Sequence, residues 1–399
     1  MLKKWFERHG FWVMNKQKLD NLNALFAQEM KADRIKGASI LVEHKSEPVF
    51  RNVYGTDKPD SIYKIYSMTK PITTIAVMML YEQGRIDLYD PIGKYLKAYE
   101  QMMVATPAGL VEANSPITLR QLMNMTSGLV YPGTENVPEQ MMEEIRIDLL
   151  RRAESGENFS NVDICNELAK APLLFQPGQK WHYGLSADIM AAVVEVVTGI
   201  PFGEFLKKEL FSPLEMKDTA FYVDESQIGR LATMYSRIDE EGHLCESDEK
   251  ALNWLNLSRP TKPPYIESGG GGLYSTLEDY SHFVQMLAAG GIYKGKRLVG
   301  RKTIEFISKN QLNKEQLESI DFDSIDGYGY GNFMRVMLHP EINASNGSVG
   351  EYGWDGLPGT YFMVDPSEDL ILVYMQQIEQ GADQSLRRKI RQIVYGALD

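Results

Sequence analysis

The sequence predicts an α+β fold: an antiparallel sheet flanked by N- and C-terminal helices, with a mostly helical lobe inserted between its two halves. Two observations carry this prediction. Strand-like runs with a helix beside them lie near both termini, whereas helical patterns punctuated by Gly or Pro fill the middle. The length of 399 residues also exceeds one small domain and suits one large unit or two lobes with ample buried core.

The first elements predicted are a helix and a hairpin. The helix is indicated by apolar residues at helical spacing, namely Leu19, Leu22, Leu25, Phe26 and Met30. The stretch GASILVEHKSEPVFRNVYG then alternates like two strands joined by a short polar turn. Residues 15–65 are therefore expected to form the first part of an α/β lobe.

The inserted helical lobe is expected over residues 66–268. Its helical stretches include ITLRQLMNMTSGL, NVDICNELAKAPLL and LSADIMAAVVEVVTG. The second part of the α/β lobe is expected over 269–399, where GTYFMVDPSEDLILVYMQQ reads as two strands around a turn and a final helix begins at about Ser385. Both termini thus belong to one lobe of a single discontinuous unit.

Composition excludes several classes of protein. A formal net charge of −12 repels a phosphate backbone, so nucleic acid is not an expected partner. No apolar run is long enough to cross a bilayer, no signal peptide is recognised, and two cysteines do not make a disulfide framework. We therefore expect a cytoplasmic protein without a membrane partner; composition leaves the oligomeric state open.

The stretch YKIYSMTKPITTIAVMMLYEQG places Ser67 and Lys70 three residues apart at the start of an apolar helix. One interpretation is structural: the serine caps the helix and the lysine points to water. The other is catalytic, because residues one turn apart share a helix face and a lysine in a dry setting can accept the proton of a serine hydroxyl. The tetrapeptide alone does not decide between them.

Five blocks in order favour the catalytic interpretation. The segment around Ser67 ends in Asp90-Pro91, and the later blocks are LRQLMNMTSGL, FQPGQKWHYGLSADIMAAVVEVVTG, ESGGGGLYSTLEDYSHFVQML and YGWDGLPGTYFMVDPSEDLILVYMQQ. Together they resemble the class C β-lactamase and penicillin-binding-protein superfamily over roughly residues 20 to 398. The resemblance implies a β-lactamase/transpeptidase-like fold, with Ser67 as nucleophile and Lys70 as base.

Two motifs depart from the β-lactamase pattern. The Tyr-x-Asn motif falls on Tyr183-Gly184-Leu185, which keeps the phenol but replaces the substrate-gripping amide with leucine. The Lys-or-His-x-Gly motif falls on Trp354-Asp355-Gly356, where the cation is missing and Asp355 is expected to repel an anionic substrate. Both variants resemble the family VIII carboxylesterases. The resemblance makes Tyr183 a proton relay, and Leu185, Trp354, Asp355 and Gly356 substrate-binding residues.

The same resemblance implies an oxyanion hole made by the backbone N–H groups of Ser67 and Leu357. Gly269 to Gly272 resembles the family's glycine-rich approach to the cleft, although four glycines also suit close packing or a turn. The six histidines are scattered without metal-ligand spacing, and no cofactor or metal is expected.

The expected function is that of a metal-independent serine hydrolase, most simply a carboxylesterase that forms an acyl-enzyme with a small-molecule ester or amide substrate. A β-lactamase, DD-carboxypeptidase or D-amino acid peptidase shares the same fold and nucleophile. From a different class, a penicillin-binding-like recognition protein that does not turn over is the remaining alternative.

Overall fold

In the computed structural model the described residues are 14–238, 243–247, 260–322, 325–379, 381 and 384–398. The N-terminal stretch used to exclude a signal peptide therefore lies largely outside the described residues. Helices α1 to α12 within them span Lys16–Leu19, Asn21–Lys31, Thr69–Glu82, Leu119–Met123, Val137–Glu154, Asn161–Leu168, Ser186–Thr198, Phe202–Leu206, Leu277–Ala288, Arg301–Ile307, Lys314–Glu318 and Gln384–Gly396.

Strands β1 to β15 of the described chain span Gly37–His44, Glu47–Gly55, Ile62–Lys64, Met103–Thr106, Gly109–Glu112, Tyr235–Arg237, Leu244–Glu246, Tyr274–Thr276, Ile292–Tyr293, Lys296–Arg297, Tyr328–Gly331, Met334–Met337, Tyr352–Asp355, Tyr361–Asp365 and Leu370–Met375. Seven of these form an antiparallel sheet in the order β11-β12-β13-β14-β15-β1-β2. The predicted α+β class with a large antiparallel sheet is confirmed.

Both ends of the chain build this sheet, as predicted. Strand β1 lies between β2 and β15, with Ile40 opposite both Asn52 and Tyr374. Alternation along β1 sends Ile40 and Val42 to one face and Leu41 to the other, where they join separate cores. Helices α1, α2 and α12 cover the first face, and α9 packs on the second.

The helical lobe packs around α3 and α7. Every residue from Thr69 to Leu80 on α3 is buried, as is every residue from Ser186 to Val194 on α7. A helix that is buried all round belongs in the interior, and the apolar stretch after Ser67 predicted this correctly. Helix α7 is terminated by Gly199, which has the left-handed backbone conformation (φ +77°) that glycine adopts readily.

A short two-stranded sheet joins the segments that lead into and out of the site. Strand β3 pairs with β8, and the N–H of Ile65 donates to the carbonyl of Leu273 (3.0 Å). Ser67 lies shortly after β3, and the segment Gly269 to Gly272 lies shortly before β8, with Leu273 between them. The serine and the glycine-rich segment are therefore held side by side although they are about 200 residues apart in sequence.

Within the described residues no single helix has the length and apolar content needed to span a membrane. One helical pair, Ser186–Thr198 with Phe202–Phe211, reaches these thresholds together, but the chain bends by 78° between its two members.

Candidate active site

Ser67 sits in a tight 3₁₀ turn, Tyr66–Met68, immediately before α3. Tyr66 has a left-handed backbone (φ +43°), which costs a non-glycine residue about 1–3 kcal/mol and persists only where the surroundings enforce it. The turn contacts β13 of the sheet. Ser67 is thus half-buried at the junction of the helical lobe and the sheet.

Lys70 lies one helical turn after Ser67 and is fully buried. Its Nζ donates to Ser67 Oγ (3.1 Å), to Tyr131 Oη (2.9 Å) and to the Gly270 carbonyl (2.6 Å). Three oxygen partners fix the position of this nitrogen beside the serine hydroxyl. The structure therefore brings the two predicted residues together and excludes the interpretation in which the lysine points to water.

Tyr183 completes the predicted trio. Its Oη donates to Ser67 Oγ (2.8 Å) and accepts from the indole Nε1 of Trp354 (3.3 Å). Its ring centroid also lies 4.7 Å from Lys70 Nζ, within cation–π range. The serine hydroxyl is thereby held between a lysine and a phenol, each in reach of its proton.

Tyr131 belongs to this cluster, and the sequence analysis missed it. Its hydroxyl accepts from Lys70, and its ring centroid lies 5.7 Å from that of Tyr183. Burial raises the pKa of Tyr131 well above its usual value, so the phenol stays protonated over the neutral range. Its position two residues after the TSGL block was the available signal, but tyrosine is too common for that spacing to be informative.

The segment after β13 packs directly against the turn that carries Ser67. A Cβ on Gly356 would lie 2.4 Å from the Ile65 carbonyl oxygen and 2.2 Å from Thr360 Oγ1, so only glycine fits there. Thr360 Oγ1 in turn donates to the Ile65 carbonyl (3.3 Å). Leu357, the predicted second oxyanion donor, follows this contact and is 42% exposed.

Two of the expected substrate-binding side chains do not face the cleft. Leu185 is 0% exposed and lies in the core of the helical lobe at the start of α7. Trp354 is 1% exposed, and its indole N–H donates a hydrogen bond to Tyr183 Oη. The expected contact of Leu185 with a substrate is therefore wrong for this structure, and Trp354 instead supports the phenol of Tyr183.

The expected charge effect of Asp355 is also wrong. Its carboxylate is buried between Arg335 Nη1 (2.8 Å) and Arg387 Nη1 (2.5 Å). Burial alone would raise the pKa of Asp355, but the two guanidinium groups outweigh it and hold the pKa below its usual value. A carboxylate neutralised by two arginines cannot repel a substrate anion, since its charge is already paired.

The glycine-rich segment is required for close packing as well as for a contact with Lys70. A Cβ on Gly269 would lie 2.5 Å from the Ala187 carbonyl oxygen, and one on Gly270 would lie 2.5 Å from Asp188 Oδ2. The Gly269 carbonyl accepts from Thr73 Oγ1 (2.7 Å), and the Gly270 carbonyl accepts from Lys70. Both of the alternatives considered for this segment therefore apply.

An aromatic cluster surrounds the outer side of Tyr183. Phe322 stacks on Tyr183 with ring centroids 5.4 Å apart and remains 37% exposed. Trp181, Tyr330 and Trp354 pack behind these two rings and are almost completely buried. Phe322 therefore offers an accessible apolar surface beside Tyr183; nothing in its local sequence distinguished it.

The Ser67 hydroxyl is hydrogen-bonded to a buried lysine and to a phenol, where the antiparallel sheet meets the helical lobe. This arrangement defines the class of this protein as a serine hydrolase. The chain belongs to the beta-lactamase family, whose family model matches residues 22–395. This membership confirms the resemblance seen in the five sequence blocks.

Individual relatives span nearly the whole chain. It is 26% identical over 396 residues to Esterase EstB of Burkholderia gladioli, covering 94% of each chain. It is 30% identical over 331 residues to Protein Rv1367c of Mycobacterium tuberculosis, covering 80% of this chain and 78% of that one. Among solved structures, EstCE1, a hydrolase with promiscuous acyltransferase activity, superposes with a TM-score of 0.77 at 22% identity, covering 96% of this chain and 99% of that one.

Proposed function

We propose that this protein is a carboxylesterase of small neutral esters that works through an acyl-enzyme on Ser67 and needs no metal. The observation that carries the proposal is the pair of contacts on one hydroxyl, from Lys70 Nζ at 3.1 Å and Tyr183 Oη at 2.8 Å. A nucleophile and a base within hydrogen-bond reach, with the base oriented by further groups, is the arrangement that activates a serine.

In the acylation step Ser67 Oγ attacks the ester carbonyl and forms a tetrahedral intermediate. Its proton passes to neutral Lys70 or through Tyr183, and the same groups return it to the departing alkoxide, so an alcohol leaves and an acyl-serine remains. In deacylation a water molecule gives a proton to the same base and attacks the acyl carbon. The acid then leaves and Ser67 regains its proton.

The tetrahedral oxyanion needs donors that are in place before the reaction. We assign them to the backbone N–H groups of Ser67 and Leu357. The close packing of Gly356 on Ile65 supports the assignment, because it holds the segment after β13 against the turn that carries Ser67. Each such donor is worth about 3 kcal/mol in the transition state.

The proposed preference for esters does not depend on charge repulsion by Asp355. It is supported by the side chains of Trp354 and Phe322. At position 354, where penicillin-recognising enzymes carry a cation for the substrate carboxylate, this chain has an indole that is already bonded to Tyr183. The surface offered by Phe322 is apolar. We therefore assign neutral esters with an apolar acyl or alkoxy group as the substrate class.

A substrate panel tests this assignment. We expect the purified protein to hydrolyse short-chain nitrophenyl esters with continuous turnover, and to act on a chromogenic cephalosporin and a D-Ala-D-Ala peptide far more slowly. The measurement is kcat/KM for the three substrates side by side. A lactam or peptide rate above the ester rate would overturn the ester assignment, and a single burst without turnover would indicate a recognition protein.

Removal of the Phe322 ring should weaken the use of apolar esters. The variant Phe322→Ala is expected to lower kcat/KM about ten-fold for a naphthyl or phenyl ester, since an aromatic contact is worth about 0.5–1.5 kcal/mol. Methyl acetate, which has little surface to place there, should lose much less. The matched control is Tyr89→Ala, which removes a ring that is 73% exposed; equal losses for both substrates, or in both variants, would contradict the assignment.

A further inference from the structure

A buried carboxylate behind Lys70 has no part in the mechanism above. Asp188 lies in the first turn of α7 and is 1% exposed. Its Oδ1 accepts from Ser268 Oγ (2.5 Å) and from the Gly270 N–H (3.2 Å). Within the described part of the chain its Oδ2 has no hydrogen-bond partner. A buried charged oxygen without a partner is costly, so it calls for an explanation beyond packing.

Gly270 connects this carboxylate to the lysine through the two peptide groups that flank its Cα. Its N–H donates to Asp188, and its carbonyl accepts from Lys70 Nζ at 2.6 Å. The unpartnered Oδ2 lies close to the same residue, because a Cβ on Gly270 would be 2.5 Å from it. Gly270 therefore bridges Asp188 and Lys70 in a dry interior, where opposite charges interact strongly.

We infer that Asp188 is a positioning residue for Lys70: it anchors the Gly270 carbonyl, and its negative charge stabilises the ammonium that forms when Lys70 takes the serine proton. This inference rests on the proposed role of Lys70 as base. A carboxylate that orients and stabilises a catalytic imidazolium plays the same part; here Gly270 bridges the two groups in place of direct contact.

Three titratable groups near the pair do not supply this charge. Burial raises the pKa values of Tyr99, Tyr131 and Cys165 well above their usual range, so these groups are neutral near pH 7. Burial raises the pKa of Asp188 above its usual value, and Lys70, the Ser268 hydroxyl and the Gly270 N–H offset part of this effect.

Two more titratable groups share the surroundings. Tyr183 faces Lys70 with its ring, and Glu195, on α7 about two turns after Asp188, has a pKa raised by burial to about 7. Both are present in wild type and in the variants below. The titration of Glu195 is therefore common to every profile that is compared.

The test is the pH dependence of kcat/KM in the variant Asp188→Asn. Asparagine keeps an oxygen acceptor for Ser268 and Gly270 but removes the charge. The ammonium that forms on Lys70 then lacks its stabilising anion, so the acid limb of the profile should move to lower pH by about one unit or more. A purely structural role would lower the whole profile without moving it.

Further variants keep the result interpretable. Asp188→Ser, also neutral but smaller, must shift the limb in the same direction, which guards against poor folding of the asparagine variant. Ser268→Ala keeps the charge and serves as the matched control; its acid limb should stay near that of wild type. An unshifted limb in both neutral variants would overturn the inference.

A second readout separates this inference from the proposed function. The rate at which a fluorophosphonate labels Ser67 reports activation of the serine without any ester turnover, and its acid limb should shift in the same way. Absence of labelling and turnover in wild type would refute the proposed function itself. Normal wild-type activity with unshifted neutral variants would refute only the role of Asp188.

Discussion

Replacement of Ser67 by alanine is expected to lower ester turnover by at least about 10³-fold, because it removes the atom that forms the acyl-enzyme. A fluorophosphonate should add its mass to the peptide containing Ser67 in wild type and to no peptide in the variant. The measurements are kcat with a nitrophenyl ester and peptide mass after labelling. Ser67 Oγ accepts from both Lys70 and Tyr183, so the variant removes the hydroxyl that these two groups hold.

The control for this experiment is Ser155→Ala, at an exposed helix end where the hydroxyl donates to the Arg152 carbonyl. That variant should keep wild-type turnover and labelling. Both variants should melt near the wild-type temperature, which would show that the loss at Ser67 is chemical. Labelling of a different peptide, or substantial turnover by Ser67→Ala, would end the assignment of Ser67.

The variant Asp355→Ala is expected to destabilise the protein by about 3–5 kcal/mol. Removal of one partner from a buried ion pair leaves the opposite charge uncompensated, and here two arginines, Arg335 and Arg387, lose their partner. The measurement is the free energy of unfolding from urea titration at pH 7. Because Asp355 ends β13, which leads into Gly356 and Leu357, we also expect a lower kcat in the folded fraction.

A control variant and the pH dependence of stability both test this expectation. Asp148→Ala removes a carboxylate paired with Arg151 and Arg152 on the surface, and it should leave stability unchanged within error, since exposed pairs contribute little. The pKa of Asp355 is lowered in the folded state, so its stabilising effect is present above its unfolded pKa and is lost as pH falls through the folded value. Equal stability losses in the two variants would contradict a buried pair.

Local patterns of apolar and polar residues predicted much of the fold. Alternating residues predicted β1 and β2, a turn between apolar runs predicted β14 and β15, and the final helix begins at Gln384, one residue before the predicted start. These elements are long and periodic, and periodicity is a local property. The strands β11 and β12 were not predicted, because each is four residues long and their segment YGYGNFMRVM is broken by glycines.

In the candidate site, too, local contacts were predicted from the sequence and contacts between distant elements were not. Ser67 and Lys70 meet because one helical turn separates them, and that distance is set by local geometry. Leu185 and Asp355 were expected at the cleft because they occupy motif positions, but motif position does not report what a side chain meets. Leu185 turned out to face a core, and Asp355 met Arg335 and Arg387 from other elements.

Residue patterns were sufficient to predict the α+β class and the pairing of Ser67 with Lys70, and the ordered blocks were sufficient to predict the family. The distant groups around that pair became visible in the folded chain: the phenol of Tyr131, the carboxylate of Asp188 behind Gly270, and the exposed ring of Phe322. Spacing within one element is set by backbone geometry, whereas contacts between elements depend on packing, burial and charge pairing, which are properties of the whole chain.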